Sequence, residues 1–338
     1  MDRYIVGIGD ALWDCLPEGR KIGGAPANFA YYMMQFGFDS LAVSAVGDDD
    51  LGREIRETFE RIGLNHILEI TEYPTGTVTI DVDENGAPIV QNGEVIFKKY
   101  SPIGELSSIT GQYADVLARG TGLAVVMKEG DGKSRSVLFP GAGAELTTEI
   151  IMEAFECQPD ALYLGFEIPF NMVVAAAKVA ASKGIPIFID AAGASKELDL
   201  EKLPPVEVFS PNEQEALELT GIMPTSMETS LRAALAIARK SKAKNVVIKQ
   251  GARGAFLYDG KRYNTFPAVR ADKTVDTTSA GDAFTCAMTL QYLRNGGDIK
   301  DAIKYGNVAG AITVTRPGAT SSIPTEEEIY NFLYGNNQ

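Results

Sequence analysis

The chain has 338 residues, 45% of them hydrophobic and 22% charged, and a formal net charge of −14. That is the composition of a globular protein large enough for one big core with an appendage, or for two domains. The acidic balance excludes a nucleic acid or an anionic membrane as partner, since both demand a basic face, but leaves room for a phosphate-bearing small substrate held by backbone dipoles.

The N-terminus runs directly into Tyr4–Gly9, which reads as a buried strand and its turn, so no signal peptide is expected. No apolar stretch reaches transmembrane length. Further strand-like runs stand at Leu41–Val46, Ala161–Leu164, Ile185–Ile189, Val206–Phe209 and Asn245–Lys249. Helical periodicity falls between them, at Ala27–Phe36, Gly52–Ile62, Glu149–Phe155, Met172–Lys183, Glu213–Leu219 and Leu231–Ser241. This alternation predicts a parallel sheet with helices on both faces. One region breaks the rhythm: Thr77–Asp83 with the turn Glu84-Asn85-Gly86, then Leu123–Lys128 with Glu129–Gly132 and Ser136–Phe139, read as two hairpins. They predict a small antiparallel sheet off the main one, serving as a lid, a dimer contact or a plain insertion. The only histidine, His66, removes His-based triads and His-rich metal sites from consideration. Cys15, Cys157 and Cys286 are scattered without metal-ligand spacing, which suits core packing in a reducing cytoplasm.

Five segments are candidates for chemistry. Trp13-Asp14 lies just beyond the first strand, where open α/β sheets bind ligands, so Asp14 is a candidate hydroxyl acceptor or an ordinary turn aspartate. Gly23-Gly24 precedes a helix that opens with Asn28. Paired glycines let backbone approach a ligand and Asn28 offers a donor and an acceptor, although tight turns use such pairs too. No Lys-Ser/Thr follows, so this is not a Walker A loop. In Ser210–Glu215, Asn212 and Glu215 either reach a hydrated Mg²⁺ or form a capping box at a helix start. Ile248–Ala255 joins two strand-like runs through Gly251 and Gly254, as a nucleotide site or as a bare turn. Thr274–Phe284 closes a strand-like run and opens a helix with small residues that leave its first N–H groups uncovered. Asp282 stands in that first turn. An anion site carrying its own base is what phosphoryl transfer to a hydroxyl requires; an N-cap with a first-turn acid is the plain alternative.

Taken in this order, the segments resemble the PfkB, or ribokinase-like, family of carbohydrate kinases over nearly the full length. The resemblance rests on Gly23–Asn28, on Asp276-Thr277-Thr278-Ser279-Ala280-Gly281-Asp282, and on Asn212 and Glu215 as an Asn-x-x-Glu motif. It implies one three-layer α/β/α sandwich over residues 1–338 with a mainly parallel sheet, the core from 1–74 and 141–338 and a β lid from about 75–140. It also implies Asp282 as the base for a sugar hydroxyl, with the backbone of Ser279, Ala280 and Gly281 as the anion hole. Asp14, Gly24, Asn28 and Glu167 would hold the sugar. Lys249, Gly251, Gly254 and Asn307 would lie along ATP, with backbone weighing more than the lysine head group, and Asn212 and Glu215 would reach Mg²⁺ through water. A monovalent cation such as K⁺, carried by many members, would sit at Asp276, Thr278, Thr313, Arg316, Gly318 and Ser322. The implied partners are a small sugar and ATP in the cytoplasm, and a homodimer through the lid is compatible with the resemblance.

The acceptor is less legible. Gly23–Ala30 and Asn65–Thr77 resemble fructokinases, and ribokinases typically carry Lys at the position of Ala25, whereas Pro140–Ala144 and Leu164–Glu167 resemble ribokinases. Fructose is the expected acceptor, with ribose, 2-keto-3-deoxygluconate or a nucleoside as alternatives. A non-catalytic sugar-binding regulator is the remote one, and it would be expected to lose the base or the anion hole. Residues from about 85 to 120 follow no assignable pattern, and Ser279 stands where glycine is commonest in the family.

Overall fold

A computed structural model describes residues 4–16, 19–71, 77–80, 90–91, 94–95, 97–101, 122–128, 134–139, 141–271, 273–275, 277, 279–316 and 322–335. The first part of the chain forms β1 (Tyr4–Ile8), β2 (Leu12–Leu16), β3 (Gly19–Gly23), α1 (Ala25–Gln35), β4 (Asp39–Gly47), α2 (Asp50–Ile62) and β5 (Asn65–Thr71). Short strands follow: β6 (Thr77–Ile80), β7 (Val90–Gln91), β8 (Glu94–Val95), β9 (Phe97–Ser101), β10 (Gly122–Lys128) and β11 (Ser134–Phe139). Alternation then resumes with α3 (Thr148–Ala154), β12 (Ala161–Leu164), α4 (Phe170–Ser182), β13 (Ile187–Asp190), β14 (Val208–Ser210), α5 (Glu213–Thr220), α6 (Met227–Ser241) and β15 (Asn245–Lys249). The chain ends in β16 (Ala255–Tyr258), β17 (Tyr263–Phe266), α7 (Ala280–Arg294), α8 (Ile299–Thr313) and α9 (Glu326–Tyr334).

The main sheet has nine strands in the order β17-β16-β15-β14-β13-β12-β1-β4-β5. From β5 to β15 every pairing is parallel, and β16 and β17 add an antiparallel edge. β12, β13 and β15 are buried along their whole length, which is why they read as continuous apolar runs. Alternate strand residues feed two cores. Val6 and Ile8 pack with α3, α4, α5 and α6, whereas Ile5, Phe188 and Val247 pack with α1, α7, α8 and α9. The result is the three-layer α/β/α sandwich expected. Strand order reverses between β1 and β12, because the chain runs from β1 outward to β4 and β5 and returns at β12 to build the other half. In open α/β sheets that crevice, at the carboxyl ends of the strands, is where ligands bind.

A second sheet has the order β11-β10-β2-β3. The expected hairpin of residues 123–139 is present as β10 and β11. The other, at 77–83, supplies β6, but β6 pairs with β9 in a separate two-stranded sheet, and the turn Glu84-Asn85-Gly86 lies outside the described residues. Two strands of the second sheet, β2 and β3, come from residues 12–23, which the sequence reading had assigned to the core. Trp13-Asp14 therefore lies in a strand rather than in a loop, with Asp14 opposite Lys21.

Candidate active site

Helix α7 is buried on most sides from Ala283 to Leu290, so it is driven into the layer on the sheet face and its first turn lies near the carboxyl ends of the strands. Its N-cap is Ser279, in the left-handed region at φ 57° and without a side-chain cap. The N–H of Ala280 turns back to the carbonyl of Thr277 at 3.3 Å, which differs from the expectation that it faces outward. Gly281 and Asp282, also in the first turn, have no intrahelical acceptor for their N–H groups. Asn28 comes from α1, whose N-cap Gly24 sits at φ 98°. A Cβ at Gly24 would collide with the carbonyl oxygen of Asp10, so only glycine allows this turn. The turn aims α1 so that Asn28, 5% exposed, donates through Nδ2 to Asp282 Oδ2 at 3.4 Å.

Beside Asp282 lies a buried polar network. Lys249, at the end of β15, donates to Asp190 Oδ2 at 2.6 Å, and Thr285 of α7 donates to the same oxygen at 2.6 Å. The ammonium is also 3.3 Å from Thr285 Oγ1, and it is the group nearest to the open side of Gly281. Asn212 caps α5, and Glu215 accepts from its N–H at 2.6 Å and from its Nδ2 at 2.7 Å. The capping box weighed in the sequence reading is therefore formed. Asp190, Asp282 and Glu215 thus share one ammonium, and burial together with the excess negative charge shows in the titration of Asp282 and Glu215. Burial, with Asp190 adding to it, pushes the Asp282 carboxyl up to about 6, against the pull of Lys249, Asn28 and Ser279. Burial pushes Glu215 up to about 7, opposed by Lys249 and reinforced by Asp190. Burial lowers Lys249, but Asp190 and Glu215 outweigh it, and the net shift is upward.

Sequence reasoning missed Asp190 and Thr285 and weighted the lysine backbone over its head group. The available signal was an aspartate ending the apolar run Ile187–Asp190 at a strand's carboxyl end. Glu167 does reach the double-glycine segment, accepting from the N–H of Ala25 at 3.3 Å. Gly251 (φ 52°) and Gly254 (φ 90°) form the tight turn between β15 and β16. Asn307 of α8 donates to the carbonyl of Pro267 at 3.3 Å. Of the six residues expected at a cation site, Asp276, Thr278 and Gly318 lie outside the described residues. Thr313 and Ser322 are fully buried, and Arg316 is turned toward Glu328 of α9. Val275 donates to the carbonyl of Val314 at 2.7 Å, which ties the stretch before α7 to the end of α8. A cavity of about 380 Å³ between α1, α2 and the root of β2-β3 touches this network only through Asn28.

Residues 18–100 and 112–326 match the pfkB family of carbohydrate kinases, and the chain belongs to that family. A ribokinase of Arabidopsis thaliana is 30% identical over 217 residues, covering 63% of this chain; the match spans only 57% of that relative's length. Fructokinase-1 of Oryza sativa subsp. japonica is 26% identical over 365 residues and 98% of each chain. The solved structure of Arabidopsis thaliana ribokinase complexed with ribose and ATP has a TM-score of 0.69 at 22% identity, over 99% of each chain, a likeness in fold. Among the described residues no helix is long and apolar enough to cross a membrane.

Proposed function

We propose that this chain transfers the γ-phosphoryl of ATP to a primary hydroxyl of a furanose sugar, with Asp282 as the base. The observation that carries the reading is the meeting of Asp282 and Asn28, 254 positions apart in sequence, at a helix start backed by the Lys249 ammonium. Asn28 orients the carboxylate, and Asp282 takes the hydroxyl proton late, because an alcohol is far less acidic than a carboxylic acid until the phosphorus–oxygen bond forms. The helix dipole and the N–H groups at Gly281 and Asp282 favour the charge on the transferring group, and Lys249 adds its own. On the acceptor side stand Gly24, Asn28 and Glu167, with Asp14 on the neighbouring sheet; Gly251, Gly254 and Asn307 belong to the nucleotide side.

Both oxygens of Glu215 already accept from Asn212, and among the described residues no group of three or more His, Cys, Asp or Glu converges as a metal site. Mg²⁺ fits here as an ion held by the nucleotide's phosphates and water, which Asn212 and Glu215 reach through that water. When bound it would neutralise charge on the phosphates. The K⁺ site is part of the proposal, with Thr313 and Ser322 near it.

For the acceptor, the N-terminal motifs favour fructose and the ribokinase relatives favour ribose. ADP release over a panel of ribose, fructose, 2-keto-3-deoxygluconate and adenosine decides between them, with turnover on the order of 1–100 s⁻¹ expected for the true acceptor. Asp282→Asn is expected to leave sugar binding nearly intact and to cut turnover by about two orders of magnitude or more. Near-normal turnover in that variant sinks the assignment of the base, and ADP release with no acceptor of the panel sinks the substrate class.

A further inference from the structure

Asp10 belongs to none of the motifs above. It stands two residues beyond the end of β1, and Glu167 stands three beyond the end of β12. The two strands at which the sheet order reverses therefore each deliver a carboxylate to the crevice between them. Asp10 is 1% exposed, and among the described residues neither of its carboxylate oxygens meets a donor. Its surroundings are shaped for it nonetheless. The Gly23-Gly24 turn lies against its carbonyl, and the turn Gly141–Glu145, directly after β11, lies against its carboxylate. A Cβ at Gly143 would collide with Asp10 Oδ1, so the cradle exists because that position has no side chain. Glu167 faces it closely enough that its charge adds to burial in raising the Asp10 carboxyl well above the usual range. The hydrogen bond from Ala11 N to Ser44 Oγ at 2.7 Å satisfies the neighbouring backbone and nothing of the carboxylate. A buried carboxylate without donors is costly, and a packed core is better served by an apolar side chain of that size. A group left in this condition needs an account, and a ligand that supplies donors is one.

We propose that Asp10 is a second acceptor-binding carboxylate, working with Glu167 across the β1–β12 crevice to take two adjacent hydroxyls of the sugar other than the one phosphorylated, once the Gly141–Glu145 turn has moved off it. The inference rests on the kinase reading and narrows its acceptor to a sugar with a vicinal diol. Each hydroxyl donates to one carboxyl group, so an acceptor lacking the hydroxyl that meets Asp10 leaves that buried carboxylate without a donor, the situation in which polar sites discriminate most strongly.

The test compares wild type with Asp10→Asn and Asp10→Ala on D-ribose, D-fructose and 2-deoxy-D-ribose, by ADP release and by the melting-temperature shift each sugar produces. Wild type is expected to prefer a diol acceptor over 2-deoxy-D-ribose by about 100-fold or more in kcat/KM. Asp10→Asn is expected to raise the acceptor KM about tenfold or more, to shrink that preference to within about fivefold, and to hold the KM for ATP within about twofold. Without sugar it is expected to melt at or above the wild-type temperature, because the unpartnered carboxylate is gone. An unchanged acceptor KM and preference overturns the proposal. So does a joint loss of acceptor and ATP binding with a lower melting temperature in both variants, which marks a structural residue. If wild type releases no ADP with any of the three sugars, the kinase reading fails; the binding inference is then decided by the shifts alone, and equal shifts in wild type and Asp10→Asn, or none in wild type, overturn it.

Discussion

Asp282 and Glu215 titrate high chiefly because they are buried; the neighbouring Asp190 charge adds to this, and the one Lys249 ammonium the three carboxyls share opposes it without cancelling it. As the proposed base Asp282 would work ionised, so kcat/KM for the acceptor is expected to fall as pH drops through about 6. Asp190→Asn removes a charge that raises Asp282 and leaves the Lys249 ammonium to Asp282 and Glu215. Both changes push the acid limb of the pH profile to lower pH, and an unmoved limb contradicts this electrostatic account. Stability runs the other way. Both carboxyls have folded values above their unfolded ones, so the native state holds extra protons between about 4 and about 7. That contribution is complete below the unfolded value and is lost as pH rises through about 6 for Asp282 and about 7 for Glu215. The melting temperature of the protein alone is expected to decline across this window, and more gently in Asp282→Asn. Glycines give a second contrast at this scale. Gly37→Ala, with open space around it at φ 74°, is expected to cost about 1–2 kcal/mol for the left-handed backbone alone. Gly24→Ala, which meets the Asp10 carbonyl as well, is expected to cost more and to weaken acceptor binding; thermal melts and the acceptor KM separate the two.

Among the elements, one cap was legible in the sequence: Asn212 with Glu215 forms the reciprocal capping box weighed there, and Ser226 with Thr229 forms a second that was not read. Ser226→Ala, remote from the Asp282 network, is expected to lower stability by about 1 kcal/mol with turnover unchanged, as chemical denaturation and an ADP assay would show. Ser279 differs: its left-handed backbone opens α7, so Ser279→Val, a β-branched residue in that conformation, is expected to lose stability and turnover together. Strand and helix centres in the core followed from apolar periodicity, with ends displaced by a few residues. The hairpin β2-β3 was hidden because Asp14, Cys15 and Glu18–Lys21 break any apolar alternation, and its register is set by β10, more than a hundred residues away. α8 and α9 were left unassigned despite capping aspartate and threonine at Asp298 and Thr325, signals that were present and unused.

For the whole molecule, the net charge of −14 acts against an anionic nucleotide, whose approach is opposed at low salt. The KM for ATP is expected to fall as ionic strength rises from about 10 to about 150 mM, set with tetramethylammonium chloride, while the KM for a neutral sugar stays constant. The candidate site was only partly readable because its members come from distant stretches. Asp282 and Asn28 stood in motifs, but the Lys249–Asp190–Thr285 cluster exists only after β13, β15 and α7 are assembled, and Asp10 became conspicuous only once its surroundings showed no donor. The second sheet has a mechanical consequence. The chain leaves the core at Asp10, spends β2 and β3 in the second sheet, and re-enters at Gly24, whose turn lies against the Asp10 carbonyl. Exit and entry are therefore clamped together like the two leaves of a hinge on one pin. A displacement of that sheet would put torque on the backbone that carries Asp10, Gly24 and Asn28, so under the proposed reading the position of the sheet and the grip on the acceptor would change together.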